Sequence, residues 1–336
     1  MWTTDGSGNW LSQTAVMSGT SYAMQSLEPT YGQDLNGDGT VGLKVTTIEA
    51  IGSTDFKQVA DTYFLYDHGT TTGPQLKMSG AAVTVGQFDT WTPLGAEKTG
   101  NGYLAVWKHG AADEYTVWTI DGSGNWLSQS AGVSGSSAEI QSLEPGFNQN
   151  LNGVGGITAR FVIEAFGATT LATIANVFML SPTGSSLGPQ IRMSGALVTV
   201  GQFGAYTPIA AEQGGGGYQV AWKNGLADEY IVWNLDSSGN WLSQGSVLSG
   251  ASPELKAFEN TFQQDLNLNG VMGAITSMIS SSESAAEIGP VSSGTLNLAL
   301  FTSYMASAFA TPAGQGTGGV ADPQSSPEEI MAKPLA

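Results

Sequence analysis

Short alternating runs of apolar and polar residues, punctuated by glycine, dominate the chain. Residues 102–108 place Tyr103, Ala105 and Trp107 on one face of an extended segment, and a later run places Tyr218, Val220 and Trp222 in the same way. Residues 114–120 put Trp118 and Ile120 on one face and Tyr115 and Val117 on the other. Their later counterparts put Trp233 and Leu235 opposite Tyr230 and Val232. With bulky groups on both faces, this strand is predicted to be covered on both sides. Residues 76–78 and 83–85 are short, β-rich and bounded by glycines, so they too are predicted strands. Residues 121–125 read as a glycine-bearing hairpin turn that leads into Trp126 and Leu127.

After each hairpin the period lengthens. Ile140, Leu143 and Phe147 are spaced as on a short amphipathic helix, with Ser137 as its N-cap and Ser21 and Ser252 in the same place elsewhere. Pro29 and Pro145 fall inside this helix in two places, which predicts a short or bent one. The third occurrence has no internal proline and carries Leu255, Phe258, Glu259 and Phe262, so it is predicted to be the best formed. Further on, residues 274–294 read as a Ser-rich linker and residues 296–309 as an amphipathic helix. That helix is too short and too interrupted to span a bilayer. Residues 311–336, rich in Pro, Gly and Ser, are expected to be disordered.

These elements repeat. A cassette opening at Trp2 returns at Trp118 and Trp233, at offsets of 116 and 115 residues. Ile48-Glu49-Ala50 returns as Ile163-Glu164-Ala165, and Gly73-Pro-Gln75 as Gly188-Pro-Gln190. The division is therefore residues 1–45 as the second half of a unit, 46–157 and 158–273 as complete units, then the linker and a tail over 295–336. Met1 stands where later copies have Val117 and Val232, so the chain is expected to be a fragment or to start further upstream. The fold class is mainly β (α+β): tandem antiparallel units, each ending in a short helix and an Asn/Asp-Gly loop.

Composition narrows the chemistry. A formal net charge of −18 excludes nucleic acid as a partner, since phosphate binding needs clustered Lys and Arg. The absence of cysteine removes disulfides, thiol catalysis and thiolate zinc sites. His68 and His109 stand apart from each other, outside any His-x-x-x-His pattern. The first residues have neither the basic region nor the apolar core of a secretory signal.

The candidate chemistry is calcium binding. Asp34, Asn36, Asp38 and Thr40, with Gly39, supply the alternating oxygens and the tight turn of a calcium loop over residues 34–42. Val45 occupies the place of the usual bidentate Glu. Glu28, which recurs as Glu144 and Glu259, is the candidate to complete the site from the preceding turn; the alternative is that it caps or solvates the helix. In the loop over 265–273, Asp265, Asn267 and Asn269, with Glu259, form a second candidate site with one charge fewer. The loop over 150–158 lacks both carboxylates and has Val154 at a ligand position, so no ion is expected there. Asp5, Asp121 and Asp236 read as turn-stabilising residues. Asp113-Glu114 and Asp228-Glu229 are adjacent on a strand and so point to opposite faces; no catalytic residue is assigned. Of the nine tryptophans, most are expected in the core, with Trp126 and Trp241 as the exposed candidates for stacking on sugars.

The spaced motifs Gly-Ala-Glu97, Gly-Tyr103, Trp107-Lys, Ala-Asp-Glu114-Tyr-x-Val-Trp118, Asp121-x-x-Gly-Asn125 and Gln-Asp34-Leu-Asn-Gly-Asp-Gly39 resemble the bacterial tryptophan-rich repeat domain. The resemblance spans about residues 1–273. It implies an extracellular module, of the kind found near the C-termini of large secreted proteins beside hemolysin-type calcium-binding repeats, without established catalytic activity. Gly-Gly-x-Gly-x-Asp nonapeptides are absent, so the calcium β-roll itself is not in this chain. The end of the chain resembles a type I secretion signal. The expectation is a secreted calcium-binding repeat protein with a structural or adhesive role. Its partners would be calcium and possible surface glycans or other repeat modules, with a carbohydrate-binding module as the alternative and a secreted hydrolase as a distant one.

Overall fold

The computed structural model describes residues 1–273. The linker, helix and tail expected over 274–336 lie outside the described residues. The chain opens with the hairpin β1 (Trp2–Thr4) and β2 (Trp10–Gln13), followed by two single-turn helices, α1 (Tyr22–Gln25) and α2 (Glu28–Tyr31). A three-stranded antiparallel meander comes next, β3 (Val45–Glu49), β4 (Thr54–Val59) and β5 (Thr62–Asp67). The small hairpin β6 (Lys77–Met78) and β7 (Ala81–Ala82) leads into a four-stranded meander. Its strands are β8 (Trp91–Thr99), β9 (Gly102–His109), β10 (Tyr115–Asp121) and β11 (Trp126–Gln129), followed by α3 (Ala138–Gln141) and α4 (Glu144–Phe147).

The pattern then recurs. The second meander is β12 (Arg160–Glu164), β13 (Thr169–Ile174) and β14 (Val177–Pro182), and its small hairpin is β15 (Arg192–Met193) and β16 (Ala196–Leu197). The second four-stranded sheet is β17 (Tyr206–Gly214), β18 (Gly217–Asn224), β19 (Tyr230–Asp236) and β20 (Trp241–Gln244), closed by α5 (Pro253–Phe262). The protein is mainly β, with several small antiparallel sheets in repeated units and a few short helices.

Each complete unit packs its two sheets around an aromatic core. In the first, Phe56, Tyr63 and Leu65 from the three-stranded sheet meet Tyr103, Trp107, Trp118 and Ile120 from the four-stranded one, and Leu76 and Val83 close the gap. Trp107 and Trp118 lie side by side at 4.6 Å, with Phe88 edge-on to Trp118 at 5.2 Å. Trp222, Trp233 and Phe203 repeat this arrangement at 4.6 and 5.2 Å. Such geometry matches the attraction of ring edge for ring face, and each large side chain removes extensive apolar area from water.

The second face of β10 is covered, as its sequence requires. Tyr115, with Val117 beside it, packs with Ile140, Leu143 and Phe147 from the helical segment and with Ile174, Met179 and Leu187 from the next unit. The helices of one unit therefore sit between its own four-stranded sheet and the following three-stranded one. One core runs across the junction, so the units form a continuous array.

The helices differ as the prolines require. Pro29 and Pro145 each lie in the first turn of a new helix, where a missing amide costs nothing, and the segment breaks into two single turns. With Asn260 at that position, α5 runs unbroken for ten residues. Ser21 and Ser252 cap their helices through bonds from the amides of Met24 and Leu255. Ser137 occupies the same place but makes no capping bond, and its hydroxyl is buried without a partner.

Candidate functional site

The Asn/Asp-Gly loops are built by side chains that accept hydrogen bonds from the loop's own backbone. Asp34 Oδ1 accepts from the amide of Gly37 at 2.7 Å, and Oδ2 from Gly39 at 2.8 Å. Asn36 Oδ1 accepts from the Asp38 amide, and Asp38 Oδ1 from the Thr40 amide. Glycines 37 and 39 adopt positive φ, the conformation the coil needs and other residues resist. The amide of Gly39 leads the contacts that hold the exposed Asp34 carboxyl below the usual carboxylate range.

The third loop keeps the pattern. Asp265 accepts from the amides of Asn269 and Gly270, Asn267 from Asn269, and Asn269 from Val271. The second keeps it without charge: Asn150 accepts from Gly153 and Asn152 from Val154. In all three the central Asn also ties the loop to the turn before the helix. The Nδ2 atoms of Asn36, Asn152 and Asn267 donate to the carbonyls of Gly19, Gly135 and Gly250 at 2.7, 2.8 and 2.5 Å. The approach is closest at Gly135, where a Cβ would stand only 2.8 Å from the Asn152 Cβ; at Gly19 and Gly250 it would be 3.2 and 3.1 Å from Asn36 and Asn267.

Glu28 does not stand among the loop's outward oxygens. It is fully buried, with Oε1 accepting the amides of Leu35 and Asn36 at 3.0 and 3.3 Å and Oε2 that of Gly42 at 2.8 Å. One carboxylate thus clamps both ends of the loop from behind. Glu144 does the same through Leu151 and Thr158, whereas Glu259 holds only the far end, through Gly273, and its Oε1 is buried without a hydrogen-bond partner. Spacing placed Glu28 and Glu259 near the loops correctly, but the side chains face inward to backbone donors that a sequence does not display.

The turn aspartates behave as predicted. Asp121 accepts from the amides of Ser123 and Asn125 and from the Asn125 side chain, and Asp236 repeats this with Ser238 and Asn240. Asp113 and Glu114 diverge: Asp113 holds the Gly135 amide, while Glu114 meets His109 at 2.7 Å. Trp126 and Trp241 are not exposed platforms. Both are half-buried with their indole nitrogens enclosed, and Trp126 packs against the aromatic core.

Sequence reasoning missed two buried carboxylate pairs. Glu49 on β3 and Glu97 on β8 are both buried, near enough for the charge of Glu97 to act on Glu49, and Glu164 on β12 and Glu212 on β17 repeat the pair. Glu97 accepts from the Ser53 amide and hydroxyl, Glu49 from the Ile51 amide, and Glu212 from Ala168. Burial, reinforced by the neighbouring carboxylate, pushes Glu49 and Glu164 up to about 7, and burial raises Glu97 and Glu212 as well. The signal was present: an acid recurring directly after an apolar residue, Ile48-Glu49 with Ile163-Glu164 and Ala96-Glu97 with Ala211-Glu212.

Among the described residues, no three His, Cys, Asp or Glu side chains converge as a metal cluster. No helix there is long and apolar enough to cross a membrane. A search of curated proteins gave no match. Among solved structures, the chain shows 10% identity and a TM-score of 0.20 to one from a study titled as a structural and mechanistic analysis of two prolyl endopeptidases. The likeness covers 62% of this chain and 44% of that one. The chain thus spans less than half of that structure's length, and a likeness of that size carries no argument. The model of the tryptophan-rich Synechocystis species C-terminal domain matches residues 56–158 and again 169–273. Those two matches take in the aromatic cores, the second and third loops and more than half of the sequence, and the chain belongs to that tryptophan-rich domain family.

Proposed function

We propose that the protein is a secreted structural or adhesive repeat array whose first and third loops bind calcium. The observation that carries this reading is the second loop. Asn150 and Asn152 build that turn with neutral side chains, so the fold of the loop does not need charge. What Asp34 and Asp38 add is a pair of carboxylates on an exposed coil, with Asn36 and Thr40 oxygens beside them. That donor set suits a hard cation that prefers six to eight oxygens and retains water. Asp265 with Asn267 and Asn269 is the weaker version.

With Glu28 and Glu259 held by backbone amides, the ligands at the first site are Asp34, Asn36, Asp38 and Thr40, completed by water. Calcium would tighten the coil that joins each helix to the next unit and so stiffen the array. Extracellular calcium is plentiful enough to fill even a site with a Kd of about 10⁻⁴–10⁻³ M. The lack of cysteine and the net charge of −18 suit a protein exported without disulfides. No catalysis is assigned. The half-buried Trp126 and Trp241, with their enclosed indole nitrogens, favour the structural reading over the sugar-binding alternative.

The test is a calcium titration of the full chain, followed by heat of binding and by thermal unfolding. Saturable heat with a raised melting temperature, both diminished in a variant carrying Asp34→Ala and Asp38→Ala, supports the reading. No heat and no shift at millimolar calcium reduces the loops to turns.

A further inference from the structure

The first complete unit contains a cleft that the second lacks the residues to form. It has a volume of about 250 Å³ and lies at the end of the core face of the four-stranded sheet. Phe88, Trp91, Trp107 and Trp118 line it together with Glu114, and neither Lys nor Arg does. Trp91 is held upright by stacking on His109, with ring centres 4.8 Å apart and planes within 10°. The Oε2 atom of Glu114 meets His109 at 2.7 Å.

Gly132 keeps the carboxylate in place. A Cβ there would stand 2.5 Å from Glu114 Oε1. The other two copies carry Val16 and Val247 at this position, so the opening is particular to the middle copy. The second unit also has Ile231 for Thr116 and Tyr206 for Trp91. There Asn224 replaces His109 as the partner of the carboxylate, Glu229, at 2.5 Å, and the Tyr206 hydroxyl adds a second contact to it at 3.3 Å.

We propose that this cleft binds a small organic cation, an alkyl- or quaternary ammonium group. The ring open to a ligand is the half-buried Trp91, with Trp107 and Trp118 as the buried floor behind it; an indole face attracts such cations through the ring quadrupole, most strongly where water is partly excluded. Glu114 supplies the opposing charge, while Thr116 and Gln129 offer hydrogen bonds to the polar remainder of the ligand. The surrounding acidic protein repels anions and draws cations toward the opening.

The test titrates the full chain with choline in the presence of a calcium chelator, which separates its outcome from that of the loops. Tryptophan fluorescence and calorimetry report binding. The neutral isostere 3,3-dimethylbutan-1-ol and glucose serve as parallel probes. Choline should saturate the protein, with both neutral probes weaker by about tenfold or more. Gly132→Val should abolish choline binding. Glu114→Gln should weaken it by about tenfold, and unchanged melting of that variant shows that the loss is local. No saturable choline signal, equal binding of either neutral probe, or choline binding that survives both substitutions overturns the proposal.

Discussion

The carboxylates of this protein divide into those the fold consumes and those it leaves over. Glu144 belongs to the first group, since its buried oxygens take the amides of Leu151 and Thr158 and the Thr158 hydroxyl. Replacing it with Ala strands buried donors, and each costs about 1–3 kcal/mol. Glu144→Ala is therefore expected to lower the urea midpoint far more than Asn150→Ala at the half-buried start of the same loop. Glu49 and Glu164 also belong to the first group, accepting the amides of Ile51 and of Phe166 and Ala211, but each lies beside a second buried carboxylate. Their folded-state values of about 7 exceed the ordinary 4.5, so the native state holds protons that the unfolded chain has released. Their contribution is complete below about pH 4.5 and is lost as the pH rises through about 7. The melting temperature should therefore decline between those values, and Glu49→Gln with Glu164→Gln should flatten that decline. A slope that the double variant leaves unchanged would assign the titration elsewhere.

At the scale of elements, the sequence was most legible where periodicity and punctuation agreed. The two-faced strand β10, the hairpin at Asp121 and the contrast between the broken α3–α4 and the continuous α5 all follow from side-chain alternation and from the positions of Pro29 and Pro145. What resisted reading was direction. Residues such as Glu28 and Trp126 were placed correctly along the chain, but whether each faces solvent or the interior depends on neighbours distant in sequence. Ser137 shows the same limit, because its position promised a cap and the bond is absent. The difference is measurable: Ser252→Ala, which removes a real capping bond, is expected to cost about 1 kcal/mol, while Ser137→Ala should cost little or be favourable. Chemical denaturation of the two variants distinguishes them.

For the whole molecule, the decisive feature is the core shared between consecutive units. Gly146 in α4 lies directly under Leu187 of the next unit, where an added Cβ would collide with the leucine side chain. The other copies carry Thr30 and Thr261 in place of Gly146, and the first unit has Thr72 in place of Leu187. A small residue on the helix and a large one on the loop thus go together at this junction. Gly146→Thr should overpack the interface and destabilise the chain by about 1–3 kcal/mol. Leu187→Thr alone should weaken it by opening a void. If the pair is a matched contact, the double variant should be more stable than the sum of the two losses allows, with a coupling of about 0.5–3 kcal/mol. Additive losses would mean that each residue packs independently and that the junction is held by Ile140, Phe147, Ile174 and Met179 instead. Coupled losses would establish the helix-to-loop contact as the joint through which one unit fixes the next, with the adjoining loop clamped by Glu144 as part of the same joint.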